Sequence, residues 1–220
     1  MKSILFDLDG TLTDSREGIV KCLEYALSRS GVPVPPPEAL SGHIGHPLRD
    51  IFRNLLGDPG PEAVETAVRL YREHFESVGV LYNKVYPGVL DMLEGIRGRG
   101  WDAYVVTSKA ETASRQVVSH FALDRFFAAV YGSDMDGARA DKGELIEYVL
   151  EKESIAPVDA VMVGDRADDV RGALVNGLPS VGVTYGYGAR SELVEAGATW
   201  VCDRPYSVLG VLVEHFGETG

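Results

Sequence analysis

Short apolar runs recur along the chain at 3–7 (SILFD), 101–106 (WDAYVV), 127–132 (FAAVYG), 159–164 (DAVMVG) and 179–183 (PSVGV). Each is bounded by Gly, Pro, Asp or Ser, as strands buried on both faces of a parallel sheet are. Between them the apolar positions change to helical spacing. Val89, Leu90, Leu93 and Ile96 fit one helical face, and so do Val117, Val118 and Phe121. Leu145, Ile146, Val149 and Leu150 fit another. Strand alternating with helix predicts an α/β fold with a doubly wound parallel sheet.

From Ser15 to Lys84 the alternation stops, and the pattern is helical over 16–30, 37–42, 47–56 and 61–78. Gly31, the prolines at 33 and 35–37, and Asp58-Pro59-Gly60-Pro61 punctuate it. Leu70, Tyr71 and Phe75 stand at helical spacing and read as core. The α/β pattern resumes at Tyr86-Pro87-Gly88. The expected organisation is a core of 1–14 and 85–220 with an all-helical insert at 15–84.

Composition narrows the partners. A formal net charge of −12 disfavours nucleic-acid polymers and anionic membranes, while a small anionic substrate needs only a few convergent cations. No apolar run approaches the roughly 18 residues that cross a bilayer. The opening MKSILF meets Asp7 too soon for a secretory signal. Cys22 and Cys202 are far apart and in no metal pattern, so they read as free thiols. A cytoplasmic protein is expected. Nothing in the pattern specifies an oligomeric state.

The strongest chemical signal is DLDGT, Asp7 to Thr11. Side chains two apart on a strand share a side, so Asp7 and Asp9 stand together where the first strand ends. They have no cation nearby in sequence. A divalent metal with oxygen ligands, Mg²⁺, is the simplest compensation. Gly10 permits the sharp turn that follows. Thr107 and Ser108 follow the second strand and are expected to open the next helix, where a hydroxyl and free N–H groups can hold a phosphoryl oxygen. Lys142 begins the helix 142–152, an unfavourable end for a cation unless an anion is bound there. GDRADD (164–169) puts Asp165 at a strand end and Asp169 one helical turn later.

Each feature alone has a plain structural reading: helix caps, a solvated lysine, an acidic turn. Together they put a nucleophile, an acid/base, a hydroxyl, a cation and a metal carboxylate at the C-terminal ends of separate strands. That is the edge where open α/β sheets bind ligands, and these are the parts of a phosphoryl-transfer site. Asp134-Met135-Asp136-Gly137 imitates a calcium loop, but its glycine falls too early, and it reads as a turn toward Lys142.

This ordered set resembles the haloacid dehalogenase (HAD) superfamily over nearly the whole chain. ILFDLDGTLTDS is similar to its first motif, VVTS to its second, Lys142 to its third and VMVGDRADD to its fourth. GHIGHPLRDIF (42–52), LYNKVYPGV (81–89) and GSDMDGARADK (132–142) resemble the phosphoglycolate phosphatase and 5′-nucleotidase-like branch. The resemblance implies a HAD-like Rossmannoid core with a helical cap, and a phosphatase acting on a small phosphorylated metabolite. It implies Asp7 as nucleophile and Asp9 as acid/base. Thr107 and Lys142 would hold phosphoryl oxygens, and Lys142 would also restrain the charge on Asp7. The Asp7 carboxylate, the Asp9 backbone carbonyl and Asp165 would hold Mg²⁺. Asp169 would support the metal shell or orient Lys142, with Ser108, Gly10 and Thr11 as supporting residues.

In such enzymes the cap excludes water and reads the leaving group. Arg49, His43, His46 and Arg72 are its candidate readers, and Lys109 beside the second motif is another candidate for a substrate anion. For His43 and His46 a turn role competes. The alternatives are a 5′-nucleotidase, a phosphosugar mutase with the same core residues, and a non-catalytic binding protein. The last would be expected to lack Asp7, Asp9 or Asp165. A phosphonatase would need a cap lysine, and neither Lys21 nor Lys84 has a telling context.

Overall fold

The structure is a computed structural model, and it describes residues 2–134 and 139–217. In chain order the elements begin with β1 (Ser3–Phe6), β2 (Thr13–Asp14), α1 (Arg16–Arg29), α2 (Pro37–Ser41), α3 (Leu48–Leu56) and α4 (Pro61–Ser77). Next come β3 (Lys84–Val85), α5 (Val89–Arg97), β4 (Asp102–Ala110), α6 (Glu111–His120) and β5 (Ala129–Ser133). The chain continues through α7 (Lys142–Glu153), β6 (Ala160–Gly164), α8 (Ala167–Val175) and β7 (Ser180–Val183). It ends with α9 (Arg190–Ala196), β8 (Trp200–Cys202) and α10 (Pro205–Phe216). Two compact units result, Met1–Thr13 with Val85–Gly220, and Asp14–Lys84. Among the described residues no helix is long and apolar enough to cross a membrane.

The first unit holds a six-stranded sheet in the order β5-β4-β1-β6-β7-β8, every pairing parallel. The chain builds outward from β1 through β4 to β5, then restarts on the other side of β1. That reversal is the switch point outside whose strand C-terminal ends open α/β sheets bind ligands. Strand alternation puts Leu5 with Tyr104, Val106 and Met162 against Leu145, Ile146 and Val149 of α7. It sends Ile4 and Phe6 to the opposite face, where they too are fully buried. Both faces of the sheet are thus covered, which is why its strands read as unbroken apolar runs.

The expected doubly wound sheet is observed, with local differences. Leu90 points outward at 44% exposed. The buried face of α5 is instead Val89, Met92, Leu93 and Ile96, the i, i+3, i+4, i+7 stripe of one helical side. Phe121 closes α6 as its C-cap and is only half-buried. The second strand runs to Ala110, well past Val106. Thr107 and Ser108 therefore lie on β4 and do not open a helix, because pairing with β5 resumes at Ala110 and keeps the segment extended. The turn expected at 134–137 falls mostly outside the described residues.

The second unit is built from α1 to α4. Leu23, Ala26 and Leu27 of α1 and Val64, Ala67, Val68, Tyr71 and Phe75 of α4 are buried, as are Ile51 and Phe52 of α3. Phe52 meets Tyr71 edge-on at 6.2 Å between centroids. Gly18 lets α1 approach Gly79 closely, since a Cβ there would stand 2.3 Å from the Gly79 carbonyl oxygen. Leu70 is half-buried, at the margin of this core.

Candidate active site

Asp7 leaves β1 with its N–H still donating to the Val163 carbonyl at 2.9 Å, so the sheet fixes its backbone. Lys142 opens α7 and is only 5% exposed. Its ammonium donates to Asp7 Oδ1 at 2.7 Å and to the Val106 carbonyl at 2.9 Å, and it pairs with Asp169 Oδ1 at 2.8 Å. The sequence suggested that a bound anion would be needed to explain a lysine at this helix end. Two protein carboxylates do that work instead, and Asp141 caps the helix by accepting from the Glu144 N–H at 3.1 Å. Gly172 lets α8 pass close to Lys142, and Asn176 donates to the Gly143 and Gly172 carbonyls, tying the two helices together.

The electrostatics follow from burial. Burial pushes the Asp7 carboxyl up to about 6, against the opposing pull of Lys142. Burial, with Asp7 and Asp169 as like-charged neighbours, holds Asp165 well above the usual carboxylate range. Burial works against charge on Lys142, but Asp169 and Asp7 outweigh it and keep the ammonium above the ordinary lysine range.

Asp165 follows β6 and is fully buried. It accepts from the Tyr187 N–H at 2.7 Å and from the Thr11 hydroxyl at 3.3 Å. Gly10 sits at φ +91°, and a Cβ there would lie 2.3 Å from Asp165 Oδ2, so the turn after β1 requires glycine on both counts. Asp169 Oδ2 accepts the Arg166 N–H at 3.0 Å, so the residue caps α8 while its other oxygen holds Lys142. Asp9 Oδ2 pairs with Lys109 at 2.8 Å, whereas Asp9 Oδ1 is buried without a hydrogen-bond partner. Thr107 is buried, and its Oγ accepts the Lys109 N–H at 3.3 Å. Ser108 is half-buried, and its carbonyl accepts from Ser133 Oγ at 2.9 Å.

Asp7, Asp165 and Asp169 each offer an oxygen within 4.8 Å of the others. With Asp9 they make four carboxylates against the two ammoniums of Lys109 and Lys142. With all four ionised, two negative charges are left over, a state that burial opposes at Asp7 and Asp165 unless a further cation is bound. That surplus and the hard oxygen donors of Asp7, Asp165 and Asp169 fit one divalent cation such as Mg²⁺.

The sequence reading missed the segment after β7. Tyr185 donates its hydroxyl to the Thr11 carbonyl at 3.1 Å. A Cβ on Gly186 would stand 2.2 Å from the Gly10 carbonyl oxygen, and one on Gly188 would stand 1.9 Å from that of Asp165. The alternating glycines of TYGYG, directly past a strand, were the available signal for this close backbone approach.

The proposed readers Arg49 and His43 lie in the helical unit. Arg49, at the start of α3, donates through Nε and Nη2 to both oxygens of Glu65 on α4, with Nη2 at 2.9 Å. Arg72 has this pair in its electrostatic surroundings. His43 and His46 build successive turns, with N–H bonds to the Leu40 and His43 carbonyls. Burial, then His46, pulls the His43 imidazole below its ordinary value.

The sheet order, with two carboxylates after the central strand and a third acid and a lysine on neighbouring elements, defines a hydrolase of the HAD class. The family model for haloacid dehalogenase-like hydrolases matches residues 4–183, and the chain belongs to that family. Among curated relatives it is similar to a 5′-nucleotidase of Pseudomonas aeruginosa, with 43% identity over 97% of this chain and 96% of that protein. It is also similar to phosphoglycolate phosphatase 1 of Pseudomonas aeruginosa, at 30% identity over 91% of this chain and 75% of the relative. A crystal structure of a predicted phosphatase from Clostridium acetobutylicum superposes with TM-score 0.92 at 39% identity, covering 97% of this chain and 98% of that one.

Proposed function

We propose that the protein is a Mg²⁺-dependent phosphomonoester hydrolase that works through an aspartyl-phosphate on Asp7. The observation that carries this reading is the buried cluster in which Lys142 bridges Asp7 and Asp169 beside Asp165. Burying this much charge is costly and has no structural necessity in an apolar sheet.

Asp7 attacks phosphorus, forming the acyl-phosphate bond as the leaving oxygen departs. Asp9 gives that oxygen a proton, then takes one from the water that hydrolyses the intermediate. Thr107 and Lys142 hold phosphoryl oxygens, and Asp169 holds Lys142 in line. Asp7, Asp165 and the Asp9 main-chain carbonyl would hold Mg²⁺; when bound, it supplies positive charge that keeps Asp7 ionised and offsets charge on the phosphoryl group. Both oxygens of Asp169 are engaged by Lys142 and Arg166, which suits it to support more than to direct ligation.

The substrate is a small phosphorylated metabolite. Phosphoglycolate is the first choice from the motifs. A nucleoside monophosphate is the second, favoured by the full-length similarity to a 5′-nucleotidase. Phosphate release should be measured over a panel of both classes and of sugar phosphates, ranked by kcat/KM, with chelator and with Mg²⁺ restored. Turnover that stops with chelator and returns with Mg²⁺ is expected. A rate indifferent to chelator removes the metal, and transfer to a sugar hydroxyl in place of water makes the enzyme a mutase.

A further inference from the structure

We propose that Lys109 is a positioning residue that fixes the Asp9 carboxylate through one oxygen and leaves the other to handle the proton. This rests on the reading of Asp9 as the acid/base. The two residues stand 100 positions apart, yet the Lys109 ammonium lies 2.8 Å from Asp9 Oδ2. Their side chains are only 11% and 10% exposed. Asp9 Oδ1 is buried and unpartnered. A proton-transfer group needs this asymmetry, with one oxygen anchored to set the rotamer and one open to the reacting atom.

The strand is shaped to deliver the lysine. β4 pairs with β5 at Val106↔Tyr131 and again at Ala110↔Ser133, four steps on one strand against two on the other. The two surplus residues form a bulge through Thr107, Ser108 and Lys109, the device by which sheets re-aim a side chain beside an active site. Hydrogen bonds brace it, from the Lys109 N–H to Thr107 Oγ and from Ser133 Oγ to the Ser108 carbonyl. Gly132 makes room for it, since a Cβ there would stand 2.5 Å from the Lys109 carbonyl oxygen. The sequence suggested Lys109 as a contact for a substrate anion. An ammonium has three donors, so one can hold Asp9 Oδ2 while another faces an anion, and the KM measured below separates the two roles.

The test is a double-mutant cycle of Lys109→Met and Asp9→Asn, with Lys109→Arg as the conservative variant and circular dichroism to verify folding. Each variant is assayed on an alkyl phosphate, whose leaving group needs a proton, and on 4-nitrophenyl phosphate, whose leaving group scarcely does. Lys109→Met should lower kcat on the alkyl phosphate by about 10- to 100-fold, with KM within about twofold and a smaller loss on the aryl ester. Lys109→Arg should recover most of that loss. In the Asp9→Asn background Lys109→Met should cost little more. A raised KM, equal losses on both substrates, or additive losses overturn the positioning role. Asp9→Asn that spares the alkyl phosphate overturns the acid/base reading itself, and the cycle tells these failures apart.

Discussion

The two units share exposed ion pairs one helical turn apart, Arg115–Glu111 and Arg171–Asp168 among those of the sheet-bearing unit, but differ in the charge they bury. In the sheet-bearing unit Lys142 pairs with Asp7 and Asp169, and Lys109 with Asp9, all nearly out of water and across long stretches of sequence. In the helical unit Arg53–Asp50, Arg69–Glu73 and Lys21–Glu17 are pairs one helical turn apart on exposed surface, and Arg49–Glu65 joins α3 to α4 with Glu65 half in solvent. Exposed pairs of that kind contribute about 0–1 kcal/mol and need no functional explanation. Buried charges cost several kcal/mol of desolvation unless they are matched, so a fold that keeps them is retaining chemistry. Depth and sequence separation together set the proposed active site apart from the surface of the helical unit.

The sharpest way to break that contrast is Asp7→Asn, a nearly isosteric change. Turnover should fall by at least about 10³-fold while circular dichroism stays native. Activity near wild type would remove the nucleophile. Next in size is Lys142→Met, which leaves Asp7 and Asp169 facing each other without their cation. Urea denaturation should register a loss of about 3–5 kcal/mol, against about 0–1 kcal/mol for Glu65→Ala in the helical unit. Equal costs would show that burial does not separate the two regions.

The pH dependence comes third. The Asp7 carboxyl lies near 6 in the folded state and at 3.8 ordinarily, so between those values the native protein keeps a proton that the unfolded chain has released. Its stabilising contribution is complete below the lower value and is lost as pH rises through the upper one. In metal-free protein the stability of wild type relative to Asp7→Asn should therefore fall across that window, and Mg²⁺ should flatten the fall. A difference independent of pH would mean that Asp7 is not held protonated by its surroundings. The smallest effect belongs to Arg49→Ala. If Arg49 reads the leaving group, KM for the true substrate should rise by about tenfold or less, and more than for a generic aryl ester. Equal changes for both would leave Arg49 as a strut to Glu65.

Much of this was legible in residue order because it depends on local periodicity. The unbroken apolar runs marked strands covered on both faces, and the helices of 15–84 appear within a residue or so of the expected limits. DLDGT and GDRADD revealed their carboxylates because strand ends and turns have short, local signatures. The misreadings arose where the deciding contact lies far along the chain. Thr107 and Ser108 looked like helix caps, but pairing with β5 holds them in strand. Lys109 was not expected as the cation of Asp9, since it arrives from 100 residues away, whereas the Lys142–Asp7 contact, across 135 residues, was expected only from the family resemblance. The TYGYG segment drew no reading, because the room that its missing side chains leave for Gly10 and Asp165 exists only in the folded chain.

Residue order by itself determined the alternation of strands and helices, the helical interruption, and the identity of the acids at the strand ends, because backbone preference and side-chain period act over a few residues. Only the tertiary structure decided that Lys109 faces Asp9, which oxygen of Asp9 is free, and how far burial raises the Asp7 carboxyl. Those depend on ångström-scale approach and on exclusion of water, and neither exists until the sheet has closed and brought its strand ends together.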